Sequence, residues 1–309
     1  MLNGILLVDK KRGTRSTACL NSIKRSLEKK QKAGHAGTLD STAEGLLVVL
    51  LGVATRASSY IMTLPKTYEV LIRFGKRTDT DDYEGDTLDE HPTDDLYLDK
   101  VRERLFSFSG RRMQYPPKIS AVRLEGARSH DLARKGINVE TASRPVTITS
   151  IRISSEFIDN GSIAMRIKCH KGTYIRSFAR ELGEAMGCGA HVAFLRRTAI
   201  GHFSLDDRYC ISVGSDTPST ENIISSVKPI SSVIKGFTSY RLTADQELSV
   251  KNGKKLPLDR LNRTGFGIVP SSDGIVLEGK GLISFASLTV GSEKNTLYLH
   301  PDTNLFLPE

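Results

Sequence analysis

Three segments of this 309-residue chain alternate apolar and polar residues, a period of two that is typical of β-strands with one buried face. They are 66–75, 146–153 and 163–169. The apolar face of the first carries Tyr68, Val70, Ile72 and Phe74. On this pattern alone, Tyr68 is interpreted as a core tyrosine whose hydroxyl finds a partner at the edge of a sheet. Any fold of this chain has to accommodate these strands.

Segments with helical periodicity lie between and around the strands. Ser16 or Thr17 is placed to cap a first helix, and a second helix is predicted at 98–108. A third begins near Thr173, and its buried stripe consists of Ile175, Phe178, Ala179 and Leu182. Arg176 lies in the first turn of that helix, outside the stripe, where the helix dipole does not favour a cation. Either an anionic partner or a solvated surface would account for it.

Composition divides the chain into two predicted domains, 1–235 and 236–309. Within the first, 76–95 is expected to be a mobile acidic insertion on the surface and outside the sheet, and 129–135 a short helix. Residues 211–235 have the Ser, Thr and Pro content of a linker. The second domain is expected to be small and rich in β-structure. Its predicted elements are a helix at 242–250 and strands at 267–269, 274–278, 282–288 and 296–299.

The net charge of +9 favours polyanionic partners. Residues 1–60 contain ten Lys or Arg and four acids, whereas residues 79–95 contain nine acids and neither Lys nor Arg. The four cysteines lie far apart without metal-ligand spacing, which predicts reduced thiols in a cytoplasmic protein and argues against a metal site. No apolar run approaches the roughly 18 residues of a membrane span, and a signal peptide is not expected.

One loop combines features that suit a reactive carboxylate. In the run 34–40, two glycines flank His35, and Asp40 follows directly before a long apolar segment. Glycine allows backbone shapes that other residues resist, so such a loop can hold one acid in place while another molecule approaches closely. A simpler interpretation is also open, because Ser41 to Glu44 fits a capping box and favours a helix over a buried strand at 46–51.

Seven stretches of the chain resemble the TruB-type tRNA pseudouridine synthases. They occur in the order of that family and span about residues 3–205, which makes a chance match improbable. The stretches are 4–10, 34–40, 66–68, 78–81, 116–122, 171–176 and 195–198. The C-terminal region is similar, more weakly, to a PUA-type RNA-binding module.

The resemblance implies an α+β protein with a mixed, largely antiparallel central sheet and flanking helices, the pseudouridine synthase fold. It implies an enzyme that isomerises uridine to pseudouridine at position 55 in the T-loop of tRNA, with no cofactor and no metal. The expected partner is the tRNA T-stem-loop. The protein is expected to be monomeric and cytoplasmic, with no membrane association.

The resemblance also assigns roles to individual residues. Asp40 matches the catalytic aspartate, and Arg176 matches the arginine that pairs with it. Tyr68 matches the tyrosine that stacks on the target base. The residues implied to bind substrate are His35, which helps to hold the flipped-out base, Leu195, which lines the base pocket, Lys10 and Tyr174.

Three positions depart from the family pattern. Lys11 stands where proline is common, Arg15 where threonine is common, and Ser41 where proline usually follows the aspartate. The first two add charge to a turn that is expected to face RNA, and the third loosens a rigid position. None of them removes a reactive group.

Two other classes of function fit parts of the sequence. An RNA-binding protein without chemistry would use the same basic surface, but a replaced aspartate would mark it, and Asp40 is present. A sugar or nucleoside hydrolase would need two carboxylates about 5–9 Å apart. Glu44 is the nearby acid, and a capping role explains it better.

Overall fold

The computed structural model describes residues 1–27, 30–117, 123–124, 127–128, 142–158, 161–214, 216–265, 274–291 and 296–307. The chain divides into two compact units. The first unit combines Met1–Pro65 with Ala199–Glu309, and the second comprises Lys66–Thr198. The helix predicted at 129–135 and the strand predicted at 267–269 lie outside the described residues.

The helices and strands follow the chain in three successive groups. Up to residue 65 they are β1 (Gly4–Lys10), α1 (Ser16–Arg25), β2 (Ala33–His35), β3 (Glu44–Leu51) and α2 (Ser58–Ile61), with a 3₁₀ turn at Gly52–Ala57. The second unit contains β4 (Lys66–Phe74), β5 (Lys76–Thr78), β6 (Thr87–Glu90), α3 (Leu98–Phe106), β7 (Gly110–Gln114), β8 (Arg123–Leu124), β9 (Ala127–Arg128), β10 (Arg144–Ile158), β11 (Ser162–Cys169), α4 (Ile175–Met186) and most of β12 (Ala190–Ile200). The remainder contains β13 (Phe203–Ser204), β14 (Cys210–Val213), α5 (Thr220–Ser226), β15 (Thr238–Arg241), α6 (Ala244–Lys251), β16 (Leu256–Pro257), β17 (Asn262–Gly265), β18 (Ile275–Glu278), β19 (Leu282–Val290) and β20 (Leu297–Phe306), with 3₁₀ turns at Ile230–Gly236 and Leu258–Arg260.

The sheet of the first unit is built on β1. This strand pairs antiparallel with β3, from Gly4 opposite Leu51 to Lys10 opposite Gly45, and parallel with β14. Side chains on both faces of β1 and β3 are buried in two separate hydrophobic clusters. A strand covered on both faces is apolar throughout rather than alternating. The helix that the capping box favoured at 46–51 is therefore wrong, and the buried strand is correct.

The β-rich C-terminal region shares a core with the N-terminal strands. Its six-stranded sheet has the order β16-β20-β19-β18-β15-β17. Phe285 on β19 stacks on Tyr60 of α2 with 3.9 Å between ring centroids. Phe285, together with Ile283 and Leu305, belongs to the same buried cluster as Leu7 of β1. The region's apolar face is thus completed by residues from the beginning of the chain.

The segment 211–235 is not a linker. It forms β14, α5 and a 3₁₀ turn, and it buries Ile211, Ile223 and Ile230 in the two clusters that cover β1 and β3. The prediction of a linker was wrong because it relied on the average Ser and Thr content. A few correctly spaced apolar residues are enough to dock a short segment.

The second unit contains a run of antiparallel strands in the order β4-β11-β10-β7. The predicted strands 66–75, 146–153 and 163–169 are confirmed as β4, β10 and β11, and β10 extends beyond its predicted length. The helices predicted at 98–108 and near 173 are confirmed as α3 and α4. Phe108, in the turn that follows α3, makes an edge-to-face contact with Phe178 of α4, with 5.2 Å between ring centroids.

The acidic segment 76–95 is ordered where it begins. β5 and β6 form a two-stranded hairpin, which was not predicted; the expected position of this segment outside the main sheet is confirmed. However, Asp81 and Asp82 in the connecting turn are buried, so this part of the insertion is not a mobile surface connection. Asp81 and Asp82 face arginines of the second unit.

Candidate active site

Asp40 lies on a loop that joins β2 to β3 in the first unit. The loop can turn because Gly37 has φ = 104°, in the left-handed region that favours glycine. Asp40 is half-buried, whereas Leu39 before it is buried. The backbone N–H of Ala43 donates to the carbonyl oxygen of Asp40 at 3.2 Å, which closes a tight turn directly after the carboxylate.

Ser16 holds the residue before Asp40. Its hydroxyl donates to the carbonyl oxygen of Leu39 at 2.7 Å and accepts the Leu39 N–H at 2.9 Å. The prediction that Ser16 or Thr17 caps the first helix was wrong, because the N-cap residue is Arg15 and no side chain caps it. The serine instead uses both of its hydrogen-bonding functions on the loop.

Lys10 ties the loop to the end of β1. Its side chain is fully buried, and its ammonium group donates to the carbonyl oxygens of Ala43 at 2.6 Å and Thr14 at 2.8 Å. It also approaches the Lys11 carbonyl oxygen at 3.2 Å. The structure shows that this buried ammonium positions the loop by donating to main-chain carbonyls. The substrate-binding role expected for Lys10 stays a prediction.

The basic turn 11–14 donates hydrogen bonds to the backbone of the same loop. The N–H of Gly13 donates to the Ser41 carbonyl oxygen at 2.8 Å, and Nε of Arg12 lies 3.4 Å from the Thr42 carbonyl oxygen. Both residues after Asp40 are therefore held through their backbones. The capping box predicted for Ser41 to Glu44 does not form, since Glu44 begins β3.

His35 lies at the end of β2, on the strand that leads into the loop. It pairs with Val49 of β3, and its carbonyl oxygen accepts a hydrogen bond from the hydroxyl of Ser58 at 3.3 Å. Its side chain is half-buried. The structure thus places His35 and Asp40 at the two ends of one short segment of the first unit.

Arg176 lies in the first turn of α4, as predicted, but only 6% of it is exposed. One guanidinium nitrogen donates to the carbonyl oxygen of Thr80 at 2.9 Å, and Nε lies 3.9 Å from a carboxylate oxygen of Asp82. The solvated interpretation of this arginine is therefore wrong. Within the second unit, the acidic turn 78–85 supplies an anionic partner.

The acidic turn is held by its own side chains. The Asp82 carboxylate accepts hydrogen bonds from the Thr80 hydroxyl at 2.6 Å and from the Glu84 N–H at 3.2 Å. The hydroxyl of Thr78 donates to the Asp82 carbonyl oxygen at 2.8 Å. These bonds fix the carboxylate of Asp82 and the carbonyl of Thr80 beside Arg176.

A second arginine contacts the acidic turn. One guanidinium nitrogen of Arg180 lies 2.5 Å from a carboxylate oxygen of Asp81, and another donates to the Tyr115 carbonyl oxygen at 2.9 Å. Burial raises the pKa of the Asp81 carboxyl to about 6, although Arg180 and Arg176 both act to lower it. Burial disfavours the charged form, and the neighbouring arginines offset this only in part.

The remaining predicted residues lie on the strands and helix of the second unit. Tyr68 is half-buried on β4, opposite Ile167 of β11, and Leu195 is buried on β12. The Gln114 side chain brackets the backbone of Tyr174, accepting its N–H at 2.9 Å and donating to its carbonyl oxygen at 3.1 Å. The Arg144 guanidinium lies 4.6 Å from the centre of the Tyr174 ring.

The predicted residues fall into two groups. Lys10, His35 and Asp40 belong to the first unit, and those of the second unit are Tyr68, Tyr174, Arg176 and Leu195. Because Asp40 and Arg176 are in different units, their pairing stays a prediction.

Several residues that hold the two groups in place were not expected to do so. Sequence reasoning assigned no role to Asp82, Gln114 and Arg180, and it assigned Ser16 to a helix cap. The sequence did contain a signal for Asp82 as a partner of an arginine. Residues 79–95 hold nine acids and neither Lys nor Arg, so any cation that pairs with them comes from elsewhere in the chain.

Neither a metal centre nor a membrane-spanning helix is found in the described part of the chain. No group of three or more His, Cys, Asp or Glu residues there is arranged to hold a metal ion. None of the helices described is both long and apolar enough to cross a membrane. All four cysteines are free, and three of them are buried.

Comparison with solved structures supports the fold. The crystal structure of a Cbf5-Nop10-Gar1 complex contains a chain that aligns with a TM-score of 0.71 at 23% identity, covering 98% of this chain and 85% of that one. A second alignment, to the structure of an H/ACA RNP bound to a substrate RNA containing 2'-deoxyuridine, has a TM-score of 0.68 at 21% identity and covers 99% of this chain and 85% of that one. The α+β pseudouridine synthase fold is thereby confirmed.

Sequence comparison identifies the family. Residues 24–175 match the TruB family pseudouridylate synthase N-terminal domain, and residues 176–214 match the tRNA pseudouridylate synthase B C-terminal domain. The tRNA pseudouridine synthase B of Nitrosococcus oceani is 36% identical over 86% of either chain. The protein of the same name from Cereibacter sphaeroides is 42% identical, over 74% of this chain and 75% of the relative. The chain belongs to the TruB family of pseudouridylate synthases.

Proposed function

We infer that this protein isomerises uridine to pseudouridine in tRNA, and we propose that its target is the uridine at position 55 in the T-loop. The observation that carries the proposal is the loop of Asp40. A single carboxylate is fixed there by hydrogen bonds to the backbone on both sides, from Ser16 before it and Lys10 after it. A reaction that needs one positioned carboxylate and no metal suits this arrangement.

The chemistry assigns distinct tasks to the residues. Moving uracil from an N1 to a C5 glycosidic bond requires cleavage, rotation of the base, formation of the new bond and loss of the C5 proton. Asp40 would act as a nucleophile at the sugar or base, or as the base that removes a sugar proton. Arg176 would keep Asp40 ionised through a charge-assisted pair. Tyr68 would stack on the detached uracil while it rotates.

The target base has to leave its stack before it reaches Asp40, which costs a few kcal/mol. Contacts between the basic surface and phosphates would offset that cost. His35 would hold the flipped-out conformation, and Leu195 would line the pocket that receives the base. Tyr174 would contribute to substrate binding from the start of α4.

We propose the T-stem-loop as the part of tRNA that is recognised, a monomer as the active form and the cytoplasm as the place of action. Residues 236–309 are proposed to be a PUA-like RNA-binding domain. Its apolar residues share one buried cluster with the N-terminal strands, and such packing suits a module that presents RNA to a fixed site. No cofactor is proposed.

The test is mass mapping of pseudouridine in a T-stem-loop RNA incubated with the protein. Because pseudouridine and uridine are isomers of equal mass, the RNA carries deuterium at C5 of its uridines, and the expected product has lost that deuterium at position 55 alone. An RNA with cytidine at position 55 is the matched control and should remain unmodified. If the protein binds the uridine RNA but forms no pseudouridine on long incubation, the protein is an RNA-binding protein without this chemistry.

A further inference from the structure

The structure shows a second arginine on the same face of α4 as Arg176. Residues four apart on a helix are neighbours on its surface, so Arg176 and Arg180 point to the same acidic turn. Arg176 contacts Thr80 and Asp82, whereas Arg180 contacts the intervening residue, Asp81. One helix face thus contacts three successive residues of the turn.

The turn needs such a contact because its backbone is unfavourable at Asp81. This residue has φ = 61°, in the left-handed region that is unfavourable for residues other than glycine, and such a conformation persists only when the surroundings hold it. Two contacts hold it. The Asp81 carbonyl oxygen accepts the N–H of Val192 on β12 at 3.0 Å, and its carboxylate binds Arg180.

Arg180 is itself anchored on more than one side. It donates to the carbonyl oxygen of Tyr115, which follows β7, and it lies 3.8 Å from the carboxylate of Glu181 on its own helix. Glu181 is fixed in turn by Arg112 at 2.7 Å. The guanidinium therefore presents a fixed surface to Asp81 rather than following its movements.

We propose that Arg180 and Asp81 are positioning residues for the isomerisation, and that their ion pair holds the 78–85 turn in the conformation in which Thr80 and Asp82 orient Arg176. The proposal rests on the proposed function, since it concerns the arginine expected to serve Asp40. Arg180 and Asp81 act through Arg176 and need no contact with the substrate. Loss of the pair would let the turn relax at Asp81 and misalign Arg176.

The charges around Asp81 predict how the pair depends on pH. The charged groups that face Asp81 are Arg176, Arg180 and Glu184, all on α4. On β12, His191 lies near Asp82, and burial lowers its pKa, so it is neutral at physiological pH. The Asp81 carboxyl, with a pKa raised to about 6, therefore loses its charge and its ion pair as the pH falls through that value.

The experiment compares single-turnover rates on T-stem-loop RNA for the wild type, Asp81→Asn, Arg180→Lys, Arg180→Ala and the control Glu184→Gln. The Glu184 carboxylate lies 3.8 Å from Arg180 but is 51% exposed, so its pair with Arg180 is weak and its variant should react at the wild-type rate. We expect Asp81→Asn and Arg180→Ala to slow the chemical step by about 10- to 100-fold, the range for a misplaced catalytic group. RNA affinity should change by less than about twofold, because an interaction made only in the transition state is lost.

The pH profile separates positioning from a general structural role. The ratio of the wild-type rate to the Asp81→Asn rate should shrink towards one as the pH falls below about 6, because protonated aspartic acid resembles asparagine. A structural defect would leave the ratio constant. Arg180→Lys, which keeps the charge but not the planar fork, should recover part of the Arg180→Ala loss.

Several outcomes would overturn the proposal. They are wild-type rates for Asp81→Asn and Arg180→Ala, an equal loss in Glu184→Gln, or a rate ratio that does not change with pH. If Arg180→Ala fails to fold, Asp81→Asn and Arg180→Lys, which nearly preserve volume, decide the matter. An inactive wild type would instead refute the proposed function, so the two failures are distinguishable.

Discussion

The two segments that carry the candidate site are held in different ways. The loop of Asp40 is held through its main chain, by the Ser16 hydroxyl, the buried Lys10 ammonium and the N–H of Gly13. The main chain of the 78–85 turn is also hydrogen-bonded, but this turn depends in addition on ionised side chains, with carboxylates that face Arg176 and Arg180. A main-chain anchor tolerates changes in the side chains of the loop itself. An anchor of ion pairs can be altered by a single protonation.

This difference suits the roles proposed for the two segments. A carboxylate that reacts needs a fixed position, and hydrogen bonds to the backbone at Leu39, Ser41 and Ala43 fix the chain on both sides of Asp40. The arginine on α4 needs a defined orientation, and several charge-assisted contacts provide one. If the two modes of anchoring are separate, variants of the loop and variants of the turn should respond differently.

The largest effect is expected at the loop. Asp40→Asn should lower turnover by roughly 10³-fold or more, since it removes the reacting carboxylate, while tRNA affinity changes little. Its folding stability should stay near that of the wild type, because the loop is held by its backbone. Pseudouridine mapping, filter binding and a thermal melt measure the three quantities. Turnover near the wild-type level would refute the catalytic assignment of Asp40.

Arg176→Ala tests the ion-pair anchor. Turnover should fall by about 100-fold, because Asp82 loses its partner and Asp40 loses the expected one. Arg144→Ala is a comparison variant in the same unit. It also removes a guanidinium, which contacts the Tyr174 ring and the Gly172 carbonyl oxygen, but this arginine lies on β10 and not on α4. Rapid-quench assays on a T-stem-loop RNA give both rates. A normal rate for Arg176→Ala would show that the arginine is wrongly assigned.

Removal of the buried ammonium tests the main-chain anchor. Lys10→Met should lower the free energy of unfolding by about 3 kcal/mol, because the buried carbonyl oxygen of Ala43 and the part-buried one of Thr14 lose their donor. Urea unfolding at neutral pH measures the change. Lys11→Met is the matched control, since the Lys11 side chain is 52% exposed and makes a surface ion pair with Asp9 at 3.6 Å. Equal effects of the two variants would contradict the anchoring role of Lys10.

The smallest effect is on how stability depends on pH. The pKa of Asp81 is raised in the folded protein, to about 6, so the folded state binds more protons than the unfolded state between roughly pH 4 and pH 6. The contribution of Asp81 to stability is therefore greatest at low pH and declines as the pH rises through that window. The decline should not exceed about 3 kcal/mol, at about 1.4 kcal/mol per pKa unit.

The measurement is the difference in unfolding free energy between the wild type and Asp81→Asn across that range of pH. The difference should shift in favour of the variant as the pH rises, because asparagine has no charge to bury. A constant difference would mean that the environment of Asp81 is solvated.

Local sequence patterns predicted the strands and helices that bury only one face, because burial of one face gives a regular spacing of apolar residues. β4, β10 and β11 alternate because one face is buried, and α4 carries an apolar stripe because one side is buried. These regularities are set by neighbours in sequence. Residue types and order were likewise sufficient to recognise the family and to nominate Asp40.

Other features depend on residues that are distant in sequence. β3 is apolar on both faces because two clusters surround it, so its sequence does not distinguish a strand from a helix. The acidic turn is buried because Arg176 and Arg180, almost 100 residues later, neutralise it. Lys10 is one of the ten cations of residues 1–60, yet β1 carries its side chain into the protein. Such partners become apparent only in three dimensions.

The core shared by β1 and the C-terminal sheet determines when the chain can finish folding. Leu7 packs in one cluster with Ile283, Phe285 and Leu305, and its strand also pairs with β14 at Cys210. During synthesis the first strand therefore emerges nearly 300 residues before Leu305, a member of the same buried cluster. The Asp40 loop, anchored at the end of that strand, reaches its full support only when β19 and β20 have been synthesised. A nascent chain that lacks β19 and β20 should accordingly be protease-sensitive and inactive.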